Sequence, residues 1–297
     1  MEQVRRLEWT VAQDCAGVRV DTLLRSRLRL SGTVIRRIKW LEDGIWVDGQ
    51  RVNTRFVPTP GQVVSVRLSD PERLSGVVPT RGELDIVYED ADLIVVNKPA
   101  GLSVHPGPGH YADTLGNFLV DYYIRTGQPA DFHPVHRLDR GTSGLLVSAK
   151  HAHGQERLKQ QLHTPGFRRT YLAVCEGRLE PAEGTVDAPL GPVEGSLMAQ
   201  QVRPDGKRAC THYQTVRAGA ERSLLQLTLE TGRTHQIRVH MAYLGHPLTG
   251  DFLYGTEDHR LIGRTALHSH RLEFAHPITG ETMTFEQSLP PDMAQLV

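Results

Sequence analysis

The segment His136-Arg137-Leu138-Asp139-Arg140-Gly141-Thr142-Ser143-Gly144 sets a carboxylate, two arginines, a histidine and two hydroxyls directly ahead of the apolar run Leu145-Leu146-Val147. A polar loop feeding a buried strand is where a rigid scaffold presents functional groups. Asp139 lies between Arg137 and Arg140. Neighbouring positive charge favours an ionised carboxylate, which can act as a nucleophile or a base. The same residues also suit an ion-paired structural loop, so this motif alone decides nothing. Ser143 suggests a serine hydrolase, but a G-x-S-x-G nucleophile elbow turns from strand to helix, and Ser143 precedes a strand. The histidine pairs His133/His136, His151/His153, His235/His240 and His268/His270 invite a metal reading. None has HExxH or Cys/His spacing, so no metal is expected. His105-Pro106-Gly107-Pro108-Gly109-His110 is rigid and lacks the Gly-Lys-Ser/Thr ending of a phosphate loop.

The elements that must position this loop follow from periodicity. Leu84–Glu89 and Asp92–Val96 read as paired strands, and Gly144–Ser148, Tyr171–Val174 and Leu224–Leu229 as further strands. Helices are expected at Thr114–Ile124, Gly154–Leu162 and Thr234–Tyr243. Strands outnumber helices, with few single-helix crossovers, so the fold class expected is α+β rather than a doubly wound sheet. Ahead of them, a first helix holds Val20, Leu23 and Leu24, and a second holds Val34, Ile35, Ile38 and Leu41, ended by Gly44. Ile45-Trp46-Val47 and Val52-Asn53 flank the type I′ turn signal Asp48-Gly49, and Val63–Val66 forms another strand. Pro71, Gly76 and Pro79 mark a polar linker. The expected organisation is residues 1–70, a linker at 71–83 and a larger domain at 84–297.

The 297 residues contain 34 Lys+Arg and 34 Asp+Glu. A net charge of zero argues against indiscriminate coating of polyanions, so any nucleic-acid contact must be local. Residues 1–75 carry 13 basic against 9 acidic side chains. Arg25, Arg27, Arg29, Arg36, Arg37 and Lys39 form a basic run that is either a solvated face or a binding surface. Cys15, Cys175 and Cys210 are too far apart for a disulfide framework or a thiolate zinc site. No apolar run reaches the length of a membrane helix, and the N-terminus lacks a signal-peptide core, so a cytoplasmic protein with no membrane contact is expected.

Taken together, the motifs resemble a known family. His136–Val147, Phe167–Gly177, Thr231–Met241 with Gly245–Asp251, and Leu267–Phe274 with His276-Pro277 match the RluA/RluD family of pseudouridine synthases in order and spacing. Asn97–Leu102 and Val104–Gly107 also fit, so the resemblance spans roughly residues 85 to 290. Residues 19–64 resemble the small RNA-binding module of ribosomal protein S-four, through Arg19-Val20-Asp21, Leu30-Ser31, Gly44–Gly49 and Pro60–Val64. Gly32 stands where that module commonly has an arginine.

The resemblance implies a pseudouridine synthase fold, with a mostly antiparallel mixed central sheet and a small α/β N-terminal RNA-binding domain. It implies isomerisation of uridine in structured RNA: one glycosidic bond breaks, uracil turns, and a carbon–carbon bond forms. No cofactor or metal is needed. By the same resemblance Asp139 is the catalytic carboxylate, Arg238 its partner and Tyr171 the active-site tyrosine. Arg137 would replace the flipped base, and Leu267 and His136 would contact the substrate. Arg25, Arg29, Arg36, Arg37 and Lys39 would bind RNA. Ribosomal RNA of the large subunit is the expected substrate, with transfer RNA as the other known class. No obligate protein partner is evident and a monomer is the default. The alternative is a catalytically silent RNA-binding or ribosome-assembly factor.

Overall fold

The computed structural model describes residues 4–70, 72–162 and 164–297; Pro71, at the head of the expected linker, lies outside them. The strands are β1 Arg6–Thr10, β2 Ile45–Val47, β3 Gln50–Arg51, β4 Val63–Arg67, β5 Ile86–Glu89, β6 Leu93–Lys98, β7 His133–Pro134 and β8 Ser143–Ala149. They continue as β9 Arg168–Glu176, β10 Glu183–Asp187, β11 Leu190–Pro192, β12 Gln200–Val202, β13 Cys210–Ala218, β14 Arg222–Leu229, β15 Leu267–Ala275 and β16 Thr282–Glu286. The helices are α1 Val20–Ser26, α2 Gly32–Ile38, α3 Leu115–Arg125, α4 Ala152–Gln161, α5 Gln236–Tyr243 and α6 Pro291–Ala294.

The N-terminal residues build a four-stranded antiparallel sheet in the order β1-β4-β2-β3. Val20, Leu23 and Leu24 of α1 and Val34, Ile35 and Ile38 of α2 share one core with Ile45, Val47, Val64 and Val66. Ser31 caps α2 by accepting the Val34 N–H at 3.3 Å. Asp48 and Gly49 both have positive φ, as a type I′ hairpin requires. Three details depart from expectation. α2 stops at Ile38, so Leu41 lies in the turn that follows. Gly44 does not end the helix; a Cβ there would sit 1.8 Å from the Ile38 carbonyl oxygen, so glycine is needed where the chain folds back. The return strand starts at Gln50-Arg51, two residues earlier than expected, because a two-residue turn brings the next residue straight into register, and Val52 extends the pairing by donating its N–H to the Ile45 carbonyl at 3.0 Å.

The larger sheet runs β10-β13-β14-β9-β15-β8-β6-β5, with β16 on β15 and β7 on β8. Its β15–β8 junction is parallel and the other pairings are antiparallel, which makes an α+β fold. β1, β7, β10 to β13, β15 and β16 had no counterpart among the strands expected from periodicity. No helix among the described residues is long and apolar enough to cross a membrane.

The two sheets are tied by charge. Arg5 donates to both Asp92 oxygens at 2.8 Å, and Asp92 also meets His151 at 3.0 Å. Burial alone would raise the Asp92 carboxyl, but His151 and Arg5 hold it well below the usual carboxylate range. Arg37 and His133 share Asp70 in the same way. A carboxylate with a depressed folded-state pKa contributes stability that is present above its unfolded pKa and lost as pH falls. Arg5→Ala is therefore expected to lower the unfolding free energy at pH 7 by about 1–2 kcal/mol, a gap that starts to narrow only below about pH 4 and is lost as pH falls through the depressed folded-state value; urea titrations from pH 7 downward measure it.

The chemistry-bearing loop is held at the β8–β15 junction. Gly144 has φ +104°, and a Cβ there would meet the Ser269 carbonyl oxygen at 2.3 Å. Gly144→Ala adds both backbone strain and overlap with the neighbouring strand. It is expected to cost more than about 3 kcal/mol, read from the chemical-denaturation midpoint.

Candidate active site

Loop 136–142 enters β8 from one side, β9 lies across β15, and α5 follows a turn after β14. These elements enclose a cavity of about 180 Å³ whose walls include Asp139, Tyr171, Arg238, Arg137, Leu267 and His136. The structure thus brings together all six residues expected around the reacting base. Leu267, Tyr171 and His136 are buried and Arg137 is exposed at the rim.

Arg238 is fixed first by a residue the motif reading did not single out. Its Nε and Nη2 donate to the two Asp251 oxygens, both at 2.7 Å, and both side chains are buried. Burial works against the guanidinium charge, but the Asp251 hydrogen bonds and charge hold its pKa above the ordinary arginine value. The remaining nitrogen, Nη1, lies 3.6 Å from Asp139 Oδ2. His235 Nε2 approaches the same oxygen at 4.0 Å. Both nitrogens thus converge on one carboxylate oxygen.

His235 was quoted within a motif but given no role. It sits ahead of α5 with φ 56°, a left-handed conformation that costs a non-glycine residue energy. Its Nδ1 lies 2.8 Å from the Tyr254 hydroxyl, which itself accepts the Gln200 N–H at 2.8 Å. The hydroxyl can donate to Nδ1 or accept from it according to the ring's tautomer; with Nδ1 accepting, the ring proton sits on Nε2, facing Asp139.

Three further side chains complete the electrostatics. Lys98 is buried and donates to the carbonyls of Pro99, Leu102 and Arg140 at 2.8, 2.8 and 3.4 Å, clamping the strand end to the Asp139 loop. Burial pushes its pKa down to about 7, against the opposing pull of Asp139. Burial, with Arg169 nearby, pushes His136 down to about 3, so this ring is neutral at pH 7. Burial likewise raises the Tyr171 hydroxyl.

Ser143 donates to or accepts from His268 Nδ1 at 2.9 Å, but His268 Nε2 has no partner and Ser143 is buried outside the cavity wall. A serine–histidine pair without an orienting acid, away from the cavity, does not make a hydrolytic triad. The five basic residues expected to bind RNA lie apart from this site, on and around α1 and α2. Arg25, Arg29 and Arg36 are exposed, Lys39 lies over the Trp40 ring, and Arg37 is half-buried against Asp70.

The sheet and cavity belong to a fold shared with solved RNA pseudouridylate synthase domains. A solved human protein, RNA pseudouridylate synthase domain containing 1, is 26% identical, covers 71% of this chain and 86% of its own, and superposes with a TM-score of 0.58. Human RNA pseudouridylate synthase domain containing 4 shares the fold at a TM-score of 0.57 and 24% identity, covering 70% of this chain and 90% of its own. Residues 92–243 match the RNA pseudouridylate synthase family. The uncharacterized RNA pseudouridine synthase YhcT of Bacillus subtilis (strain 168) is 39% identical over 98% of this chain and 96% of its own. The ribosomal large subunit pseudouridine synthase D of Nitrosomonas europaea is 39% identical over 100% of this chain and 88% of its own. The chain belongs to the RNA pseudouridine synthase family, and its enzyme class is that of an isomerase.

Because Asp251 is the first partner of Arg238, Asp251→Ala leaves a buried guanidinium held only by the longer Asp139 contact. The expected cost is about 3–5 kcal/mol, measured by denaturant unfolding, with the rate of uridine isomerisation falling alongside.

Proposed function

We propose that this enzyme converts specific uridines of large-subunit ribosomal RNA to pseudouridine, with Asp139 as the catalytic carboxylate. The observation that carries the reading is the approach of Arg238 Nη1 to Asp139 Oδ2 at 3.6 Å in the wall of a base-sized cavity. Asp139 attacks or deprotonates the ribose of a flipped nucleotide while Arg238 supplies its counter-charge. Tyr171 and Leu267 contact the uracil, and the Tyr171 hydroxyl is positioned to help remove the carbon 5 proton. Exposed Arg137 fills the gap left in the RNA stack. The large-subunit substrate is carried over from the Nitrosomonas europaea relative's name.

Residues 1–70 form the S-four-like RNA-binding domain, 71–83 the linker and 84–297 the catalytic domain. Arg25, Arg29, Arg36, Arg37 and Lys39 supply phosphate contacts. The enzyme works as a cytoplasmic monomer, with RNA as its partner.

Asp139→Asn keeps the shape of the side chain and removes its charge. Release of tritium from RNA labelled at uracil carbon 5 is expected to fall by more than about a thousandfold, with RNA retention on filters unchanged. Normal tritium release by this variant would sink the assignment. Mapping pseudouridines missing from total RNA of a deletion strain identifies the substrate positions. Removing residues 1–75 is expected to weaken RNA binding and flatten its salt dependence by about one unit of slope per lost phosphate contact.

A further inference from the structure

Arg169 is the odd cation of the cavity. It lies on β9 two residues before Tyr171, and the two-residue period of a strand puts both side chains on one face. Both line the cavity with Asp139. Arg169 is only 4% exposed, and its buried Nε and Nη2 meet no acceptor in good hydrogen-bond geometry, with the Tyr171 hydroxyl as a polar neighbour. Its position is built: a Cβ at Gly232 would come within 3.0 Å of Nη1, so glycine there lets the guanidinium lie against the backbone. A buried guanidinium with unmet donors lowers stability, and strain of this kind persists where a ligand relieves it.

We propose that Arg169 is the uracil-binding cation of the site, donating to a carbonyl oxygen of the flipped base and carrying its negative charge once the base leaves the ribose. This rests on the reading of Asp139 as the catalytic carboxylate. When the bond between ribose carbon 1′ and uracil nitrogen 1 breaks, both electrons leave with the base. The charge spreads over nitrogen 1 and the two carbonyl oxygens. Carbon 5 then attacks carbon 1′, the carbon 5 proton is lost, and nitrogen 1 takes up a proton, so no atom or electron is gained overall. A fixed cation beside the carbonyls lowers the barrier to the first step, because its interaction strengthens as the charge develops. Neutral His136 beside it leaves that charge undivided. Arg238 cannot serve in its place, since two of its nitrogens are committed to Asp251.

The test uses the full chain and RNA carrying uridine, 2-thiouridine or 4-thiouridine at the mapped target position, because sulfur is a poorer acceptor than oxygen. Arg169→Met is expected to lower the single-turnover rate by at least about a hundredfold. RNA affinity should stay within about threefold, since phosphate contacts dominate it. The thermal midpoint should be unchanged or higher, because an unpaired buried charge has been removed. At least one thio substitution should slow the wild type by about tenfold and cost Arg169→Met nothing further. Equal thio penalties in both backgrounds, or a loss of activity that tracks a loss of stability, overturn the role of Arg169. Those outcomes leave the Asp139 reading intact as long as Asp139→Asn is inactive. An active Asp139→Asn overturns that reading and this inference with it.

Discussion

Arg238 is shared unequally between two carboxylates, and the arrangement of the site follows from that inequality. Asp251 takes two nitrogens at 2.7 Å and is fully buried, whereas Asp139 meets the third at 3.6 Å and is partly exposed. A bidentate pair fixes the guanidinium plane, so Nη1 is a preset donor rather than one that Asp139 must recruit. Asp139 therefore keeps a counter-charge without being locked into a short ion pair. A nucleophile or base needs that balance, since a tightly paired carboxylate would have to break strong hydrogen bonds before reacting. Asp251 gains two further N–H donors, from Leu253 and Tyr254, which hold it in turn.

The same economy governs the backbone around the loop. Asp139 is placed by the Thr142 N–H on its carbonyl, by the Lys98 clamp on Arg140, and by the parallel contact of β8 with β15 at Gly144. Each acts on main chain, so the carboxylate itself remains free. That junction is possible only because Gly144 lacks a side chain where the Ser269 carbonyl passes.

The loop, its aspartate and the Tyr171–Val174 part of β9 were legible because they are local. Hydrophobic period also located α1, α3, α4, β6 and β14. β15 escaped periodicity although much of it is buried, because His268-Ser269-His270-Arg271 interrupt its apolar residues; three other missed strands share one property. β13 and β16 carry intermediate and exposed residues along much of their length, and β1 is never fully buried, so their apolar pattern is weak. The end of α2 was misplaced because Gly44 looks like a terminator in sequence, while its use is a close approach to the Ile38 carbonyl. Asp251 could not be assigned because it lies thirteen residues from Arg238, beyond the end of α5, and only the fold closes that distance.

Two buried arginines in one cavity invite comparison, and their hydrogen bonds separate their tasks. Arg238 has every reason to stay where it is in the absence of RNA: its charge is matched and its donors are met. Arg169 has neither advantage at Nε and Nη2, and a fold selected for stability alone would have placed an aliphatic side chain there. Tertiary structure does not leave such a group dry without compensation, and the cavity it faces is where a ligand would supply it. A matched cation organises the protein's own acid, while an unmatched one awaits a charge that the reaction creates.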